Sequence, residues 1–149
     1  ARPLLGLQPF AEARFRLQQD SGAVRVIEQD ARDQVLEVAF AARQPFETWI
    51  VPKQHRSQFE EIPDDEAAEL AECLARILRQ LDRALEGLAF NLVLHTGPLR
   101  DPPREFYHWH LEILPRLTQL AGFEWGTGFH VNPIVPEDAA VVVRETVER

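Results

Sequence analysis

Two histidines and a glutamate alternate along one short segment of the chain, His108-Trp109-His110-Leu111-Glu112. In an extended strand successive side chains point to opposite faces. His108, His110 and Glu112 therefore share one face, while Trp109, Leu111 and Ile113 share the other and read as core. Two chemistries want this pattern. Neutral imidazole nitrogens and a carboxylate oxygen are ligands for a metal ion, and His95, on the strand predicted before this one, adds a further donor. Alternatively, one imidazole attacks a phosphorus centre while a neighbour fixes its tautomer. A third reading is a hydrogen-bonded polar patch with no chemistry. Residue type and spacing leave all three open.

Other residues carry weaker signals. His55 follows Pro52-Lys53-Gln54 at a strand exit and reads as a surface or capping histidine. Lys53, the only lysine in the chain, suits either a phosphate contact or the surface. The run Gly126-Thr127-Gly128-Phe129-His130 lets backbone approach a ligand closely. Cys73 falls on the apolar side of a helix and reads as core.

The elements that must position these groups are legible in outline. Ala23 to Glu28, Gln34 to Ala41 and Phe46 to Val51 read as strands from their β-branched and aromatic content. Pro63-Asp64-Asp65-Glu66 is a helix start signal. Leu70, Leu74, Ile77, Leu78, Leu81 and Leu85 then recur at helical spacing, predicting a helix from about Asp64 to Glu86 with Gly87 as its stop. Phe90 to His95 and Phe106 to Leu114 are the next strands, joined by a loop from Thr96 to Pro103. Gly122 to Val131, rich in glycine and aromatics, is expected to be extended. A last helix runs from Pro136 to near Arg149. The fold class is α+β, antiparallel strands with a long helix and a C-terminal helix. Residues 1–22 read as an N-terminal arm and residues 23–149 as the domain.

Composition bounds the function. The chain has 149 residues, 45% of them apolar, enough for one domain with its own core. A net charge of −8 argues against a broad nucleic-acid footprint, which needs a basic face. A local pocket for a nucleotide-sized ligand stays compatible with it. No apolar run is long enough for a membrane-spanning helix, and no secretory signal is visible. The single cysteine forms no internal disulfide, so a reducing, cytoplasmic setting is expected. The chain starts at Ala1 and contains no methionine, which suggests a trimmed start or a piece of something longer.

Several separated segments together resemble galactose-1-phosphate uridylyltransferase. They are Phe46-Glu47-Thr48-Trp49-Ile50-Val51-Pro52-Lys53-Gln54-His55, Asn91-Leu92-Val93-Leu94-His95-Thr96-Gly97-Pro98, His108 to Leu117 and Ala121 to Gly128. The resemblance is to the C-terminal half of that enzyme, from about Val35 onward. It implies a histidine-triad-like fold and a uridylyl exchange between UDP-glucose and galactose 1-phosphate, through a covalent uridylyl-histidine. That nucleophile lies in a His-Pro-His motif of the N-terminal half, and no His-Pro-His occurs here.

The resemblance also implies a divalent metal, zinc or iron, with His95 and His110 at ligand positions. Glu112 stands where many members carry a further histidine, and His108 completes the candidate set. A further ligand would come from an N-terminal half. Thr127, Phe129 and His130 fall where the family contacts the hexose phosphate, although many members carry an acidic residue in place of His130. In the wider superfamily the middle histidine of His-apolar-His-apolar-His attacks phosphate. His110 holds that position and would be catalytic only if the chain acted alone, as a stand-alone nucleotide phosphohydrolase; the other alternative is a non-catalytic homologue that binds a nucleotide or sugar phosphate. The implied partners are UDP-hexose and hexose 1-phosphate, with a homodimer or pairing with an N-terminal half.

Overall fold

A computed structural model describes residues 25–29, 34–38, 42–100, 106–117, 119 and 121–146, the first two segments by their backbone. The arm expected over residues 1–22 lies outside the described residues. Five strands form one antiparallel sheet: β1 (Arg25–Gln29), β2 (Gln34–Val38), β3 (Thr48–Pro52), β4 (Phe90–His95) and β5 (His110–Pro115), in the order β1-β2-β3-β5-β4. Among the described residues three α-helices accompany them: α1 (Asp64–Leu85), α2 (Gly122–Thr127) and α3 (Pro136–Glu145). The last strand in sequence is thus inserted between β3 and β4, which places its side chains between two neighbours.

One face of the sheet packs on the helices. Ile50, Leu111 and Ile113 meet Cys73, Ile77 and Leu81 of α1 and Ala140 and Val143 of α3 in a single core. Leu70, Cys73, Ile77 and Leu81, spaced three and four apart, form the buried stripe of α1. The helix ends one residue before the expected Glu86. Glu86 itself takes the left-handed capping conformation at φ 54°, and Gly87 follows at φ 120°.

Three expectations need correction. The segment Gly122 to Val131 is not extended throughout, because α2 occupies Gly122–Thr127. Its first turn is closed by the Glu124 carboxylate, which accepts from the Ala121 backbone N–H at 2.7 Å. Gly128, at φ 73°, ends it in the left-handed region. The second correction concerns β5, which begins at His110 rather than Phe106. Trp109 donates its backbone N–H to the Arg56 carbonyl, 2.9 Å away, so the chain joins the ladder only at the next residue. The third strand likewise starts at Thr48, since Phe46 sits at φ 59°, outside the strand region.

Candidate functional site

Antiparallel pairing of β4 with β5 sets His95 directly opposite His110. Their rings stack with centroids 4.6 Å apart and planes 13° from parallel. On its other side His110 stacks on Trp49 of β3, centroids 4.8 Å apart. Glu112, two residues along β5, faces the same way, opposite Val93 and Trp49. Its Oε2 lies 3.4 Å from His95 Nε2, and its Oε1 lies 3.9 Å from His110 Nε2. One donor atom from each of the three residues falls within 4.8 Å of the others. Donors about 2.1 Å from a shared zinc ion in a tetrahedron stand about 3.4 Å apart, close to these spacings.

The protonation states fit ligand duty. His110 Nδ1 lies 3.0 Å from the His108 carbonyl. A carbonyl only accepts, so we assign the proton to Nδ1, which leaves Nε2 with its lone pair toward Glu112. Burial pushes His110 down to about 4, with the His95 and His108 rings adding to the shift against the opposing pull of the His108 carbonyl and Glu112. Burial alone would raise Glu112. The adjacent His95 ring and the charge of Arg43 outweigh it and hold the carboxyl below its ordinary value. A neutral His110 imidazole beside an ionised carboxylate suits a divalent cation.

A second layer supports this one. Arg43 Nη2 donates to Glu112 Oε2 at 2.6 Å and lies 3.5 Å from Glu47 Oε1. Glu47, fully buried, also accepts from the Arg43 backbone N–H and from Trp49 Nε1. Asn132 Nδ2 donates to the carbonyls of Ala42 and Gln44, fastening the turn that carries Arg43.

The segment after β3 straps the open ends of β4 and β5. Gly97 N–H donates to the Ser57 carbonyl at 2.7 Å, just past His95, while Thr96 Oγ1 accepts from Phe59 N–H and donates to Glu60. The Arg56 carbonyl holds Trp109, just before His110, and the Arg56 guanidinium pairs with Glu66 on α1 at 2.8 Å. A Cβ at Gly97 would stand 2.9 Å from the Ser57 carbonyl oxygen. Gly97→Ala is therefore expected to push the strap away and destabilise the domain by about 1–3 kcal/mol. A urea melt checks this, and an unchanged midpoint would contradict the close approach.

The structure brings together His95, His110 and Glu112 but leaves His108 aside. His108 precedes β5, and its ring faces that of His55, centroids 4.8 Å apart. Burial, then the nearby His55, pushes it down to about 4. Thr127 closes α2, donating to the Phe123 carbonyl and accepting from Phe129 N–H. Phe129 and His130 are exposed in the segment that follows, and Lys53 is exposed at the exit of β3. Sequence reasoning missed Arg43, Glu47 and Trp49. The adjacent charged and aromatic residues at the start of the Phe46 to His55 block were the signal available.

No protein-family model matches the chain. ADP-glucose phosphorylase of Arabidopsis thaliana is 42% identical over 108 residues, covering 71% of this chain and 31% of that protein. Galactose-1-phosphate uridylyltransferase of Thermotoga maritima is 32% identical over 117 residues, 73% of this chain and 37% of that protein. This chain is homologous to the galactose-1-phosphate uridylyltransferases. The uridylyltransferase-like domain also superposes on a crystal structure of the Arabidopsis ADP-glucose phosphorylase with bound ADP-glucose. The TM-score is 0.80 at 36% identity, over 93% of this chain and 46% of that one. A zinc-bound histidine-triad protein from Mycobacterium smegmatis shares the fold, with a TM-score of 0.60 at 20% identity. The domain spans about a third of the length of the curated relatives it matches. Among the described residues, no helix is long and apolar enough to cross a membrane.

Proposed function

We propose that this chain is the C-terminal half or subunit of a nucleotidyltransferase that exchanges UDP-glucose with galactose 1-phosphate. In this reading His95, His110 and Glu112 hold a divalent metal, zinc or iron, and the domain supports catalysis in a homodimer or beside a half carrying His-Pro-His. The cross-strand pairing of His95 and His110 around an ionised Glu112 is the observation that carries it. The metal would supply a fixed positive charge that orders the three side chains, and Arg43 keeps Glu112 oriented when none is bound. Thr127, Phe129 and His130 are proposed as sugar-phosphate contacts on the strength of the resemblance, and Lys53 as a phosphate contact from its charge at the exit of β3.

The same geometry weighs against His110 as an autonomous nucleophile. An incoming phosphate would meet the Glu112 carboxylate 3.9 Å from His110 Nε2. The isolated chain is accordingly expected to take up no covalent label from UDP-glucose labelled in its α-phosphate. Label that disappears in His110→Asn would reverse the assignment. The likeness to ADP-glucose phosphorylase favours a second reading, in which the transferred group is adenylyl.

The test mixes the chain with a homologous N-terminal half and follows UDP-glucose with galactose 1-phosphate, then ADP-glucose with phosphate. Turnover that depends on this chain supports the proposal, and the preferred nucleotide decides between the readings. No turnover with either pair, in a mixture shown to form a complex, would overturn both.

A further inference from the structure

Arg43 places a permanent positive charge against Glu112, one of the three candidate metal ligands. Its Nη2 is 2.6 Å from Glu112 Oε2, the same oxygen that lies 3.4 Å from His95 Nε2. A metal drawing on Glu112 must therefore share that carboxylate with a guanidinium already bonded to it. The acidic and basic side chains here are Arg43, Glu47 and Glu112, one guanidinium between two carboxylates. Without Arg43 the two carboxylates would face an incoming cation uncompensated. Glu47 is fully buried and Glu112 nearly so, and charges screened this little by water act strongly on one another.

We propose that Arg43 is a positioning residue that competes with the metal for Glu112, weakening divalent-cation binding while keeping the carboxylate oriented when no metal is present. The inference rests on the metal reading of His95, His110 and Glu112. It adds that the site is built to hold its cation loosely and to stay folded without it. Arg43 reaches the cluster from the turn before β3 with part of its side chain in solvent, so it can swing outward when a cation takes its place.

The experiment titrates chelator-stripped protein with Co2+ and Zn2+, reading the visible Co2+ absorption and the heat of Zn2+ binding. Wild type is compared with Arg43→Lys and Arg43→Gln. Glutamine keeps a donor toward Glu112 but removes the charge, so R43Q is expected to bind about tenfold tighter or more, with lysine close to wild type. If R43Q does not fold, as judged by a thermal melt, the double variant R43Q/E47Q replaces it. That variant restores the net charge of the cluster but removes the guanidinium from Glu112, and is still expected to bind tighter than wild type. A folded R43Q, or in its place a folded double variant, that binds no tighter than wild type overturns the role of Arg43 and leaves the metal reading standing. Absence of binding in wild type and all variants overturns the metal reading, and this inference with it.

Discussion

Acidification from pH 7 to pH 4 is expected to remove about 6 kcal/mol of folding stability, roughly 3 kcal/mol for each of His108 and His110. Both are buried and pushed from 6.5 down to about 4. An unfolded chain would take up a proton on each near pH 6.5, whereas the folded chain resists until about pH 4. Stability from these groups is thus fully present above pH 6.5, declines as pH falls toward 4, and changes no further below that. Glu112 acts in the same sense, because its folded value is also depressed, so its share disappears as the carboxyl takes up its proton. A loss of this size rivals the whole stability of many small domains, about 5–15 kcal/mol. Urea melts at pH 7, 5.5 and 4, run with chelator so that no metal contributes, measure it directly. His110→Gln should flatten the dependence by about half. Equal midpoints across that range would mean that the imidazoles are not held neutral by burial.

Replacement of His110 by alanine is expected to weaken Zn2+ binding by roughly a hundredfold or more, since even the partners of metal ligands are worth 10–100-fold. His110 is the middle of the Trp49–His110–His95 stack and the donor whose tautomer the His108 carbonyl sets. Its loss leaves two donors on different strands and removes the ring that separates Trp49 from His95. His95→Ala should lose comparable affinity at a smaller structural cost, because His95 is partly exposed at the end of the edge strand. His108→Ala makes the contrast, since its ring faces His55 instead. It is expected to lower stability while leaving Zn2+ affinity within about threefold of wild type, below the 10–100-fold cost of losing a residue that supports a ligand. Calorimetric titration of the three variants separates these outcomes. Equal losses in all three would show that the site depends on general packing and not on ligation.

Much of this molecule follows from local pattern. The stripe along α1, the alternation of His110 and Glu112 against Leu111 and Ile113, and the bounds of β4 are all visible in the chain, because burial on one face imposes a period of two or of 3.6. Where local signals conflict, the pattern misleads. The glycine-aromatic run reads as extended, but the Glu124 cap and the left-handed Gly128 close a helix there. His108 shares the spacing of a ligand. It precedes β5, where the Trp109 N–H bonds to the Arg56 carbonyl and the His108 ring faces His55.

The site shows the same division. The alternation on one strand nominated two of the three clustered donors, and His95 was reachable as a neighbouring strand's residue. That His95 falls opposite His110, and that Arg43 reaches Glu112 across 69 residues, required the sheet order β3-β5-β4. By itself the sequence determined which residue types lie on which face, since that depends on neighbours along the chain. Only the tertiary structure decided which of them meet and which share a charge, since strand order and register bring together groups that no local period relates.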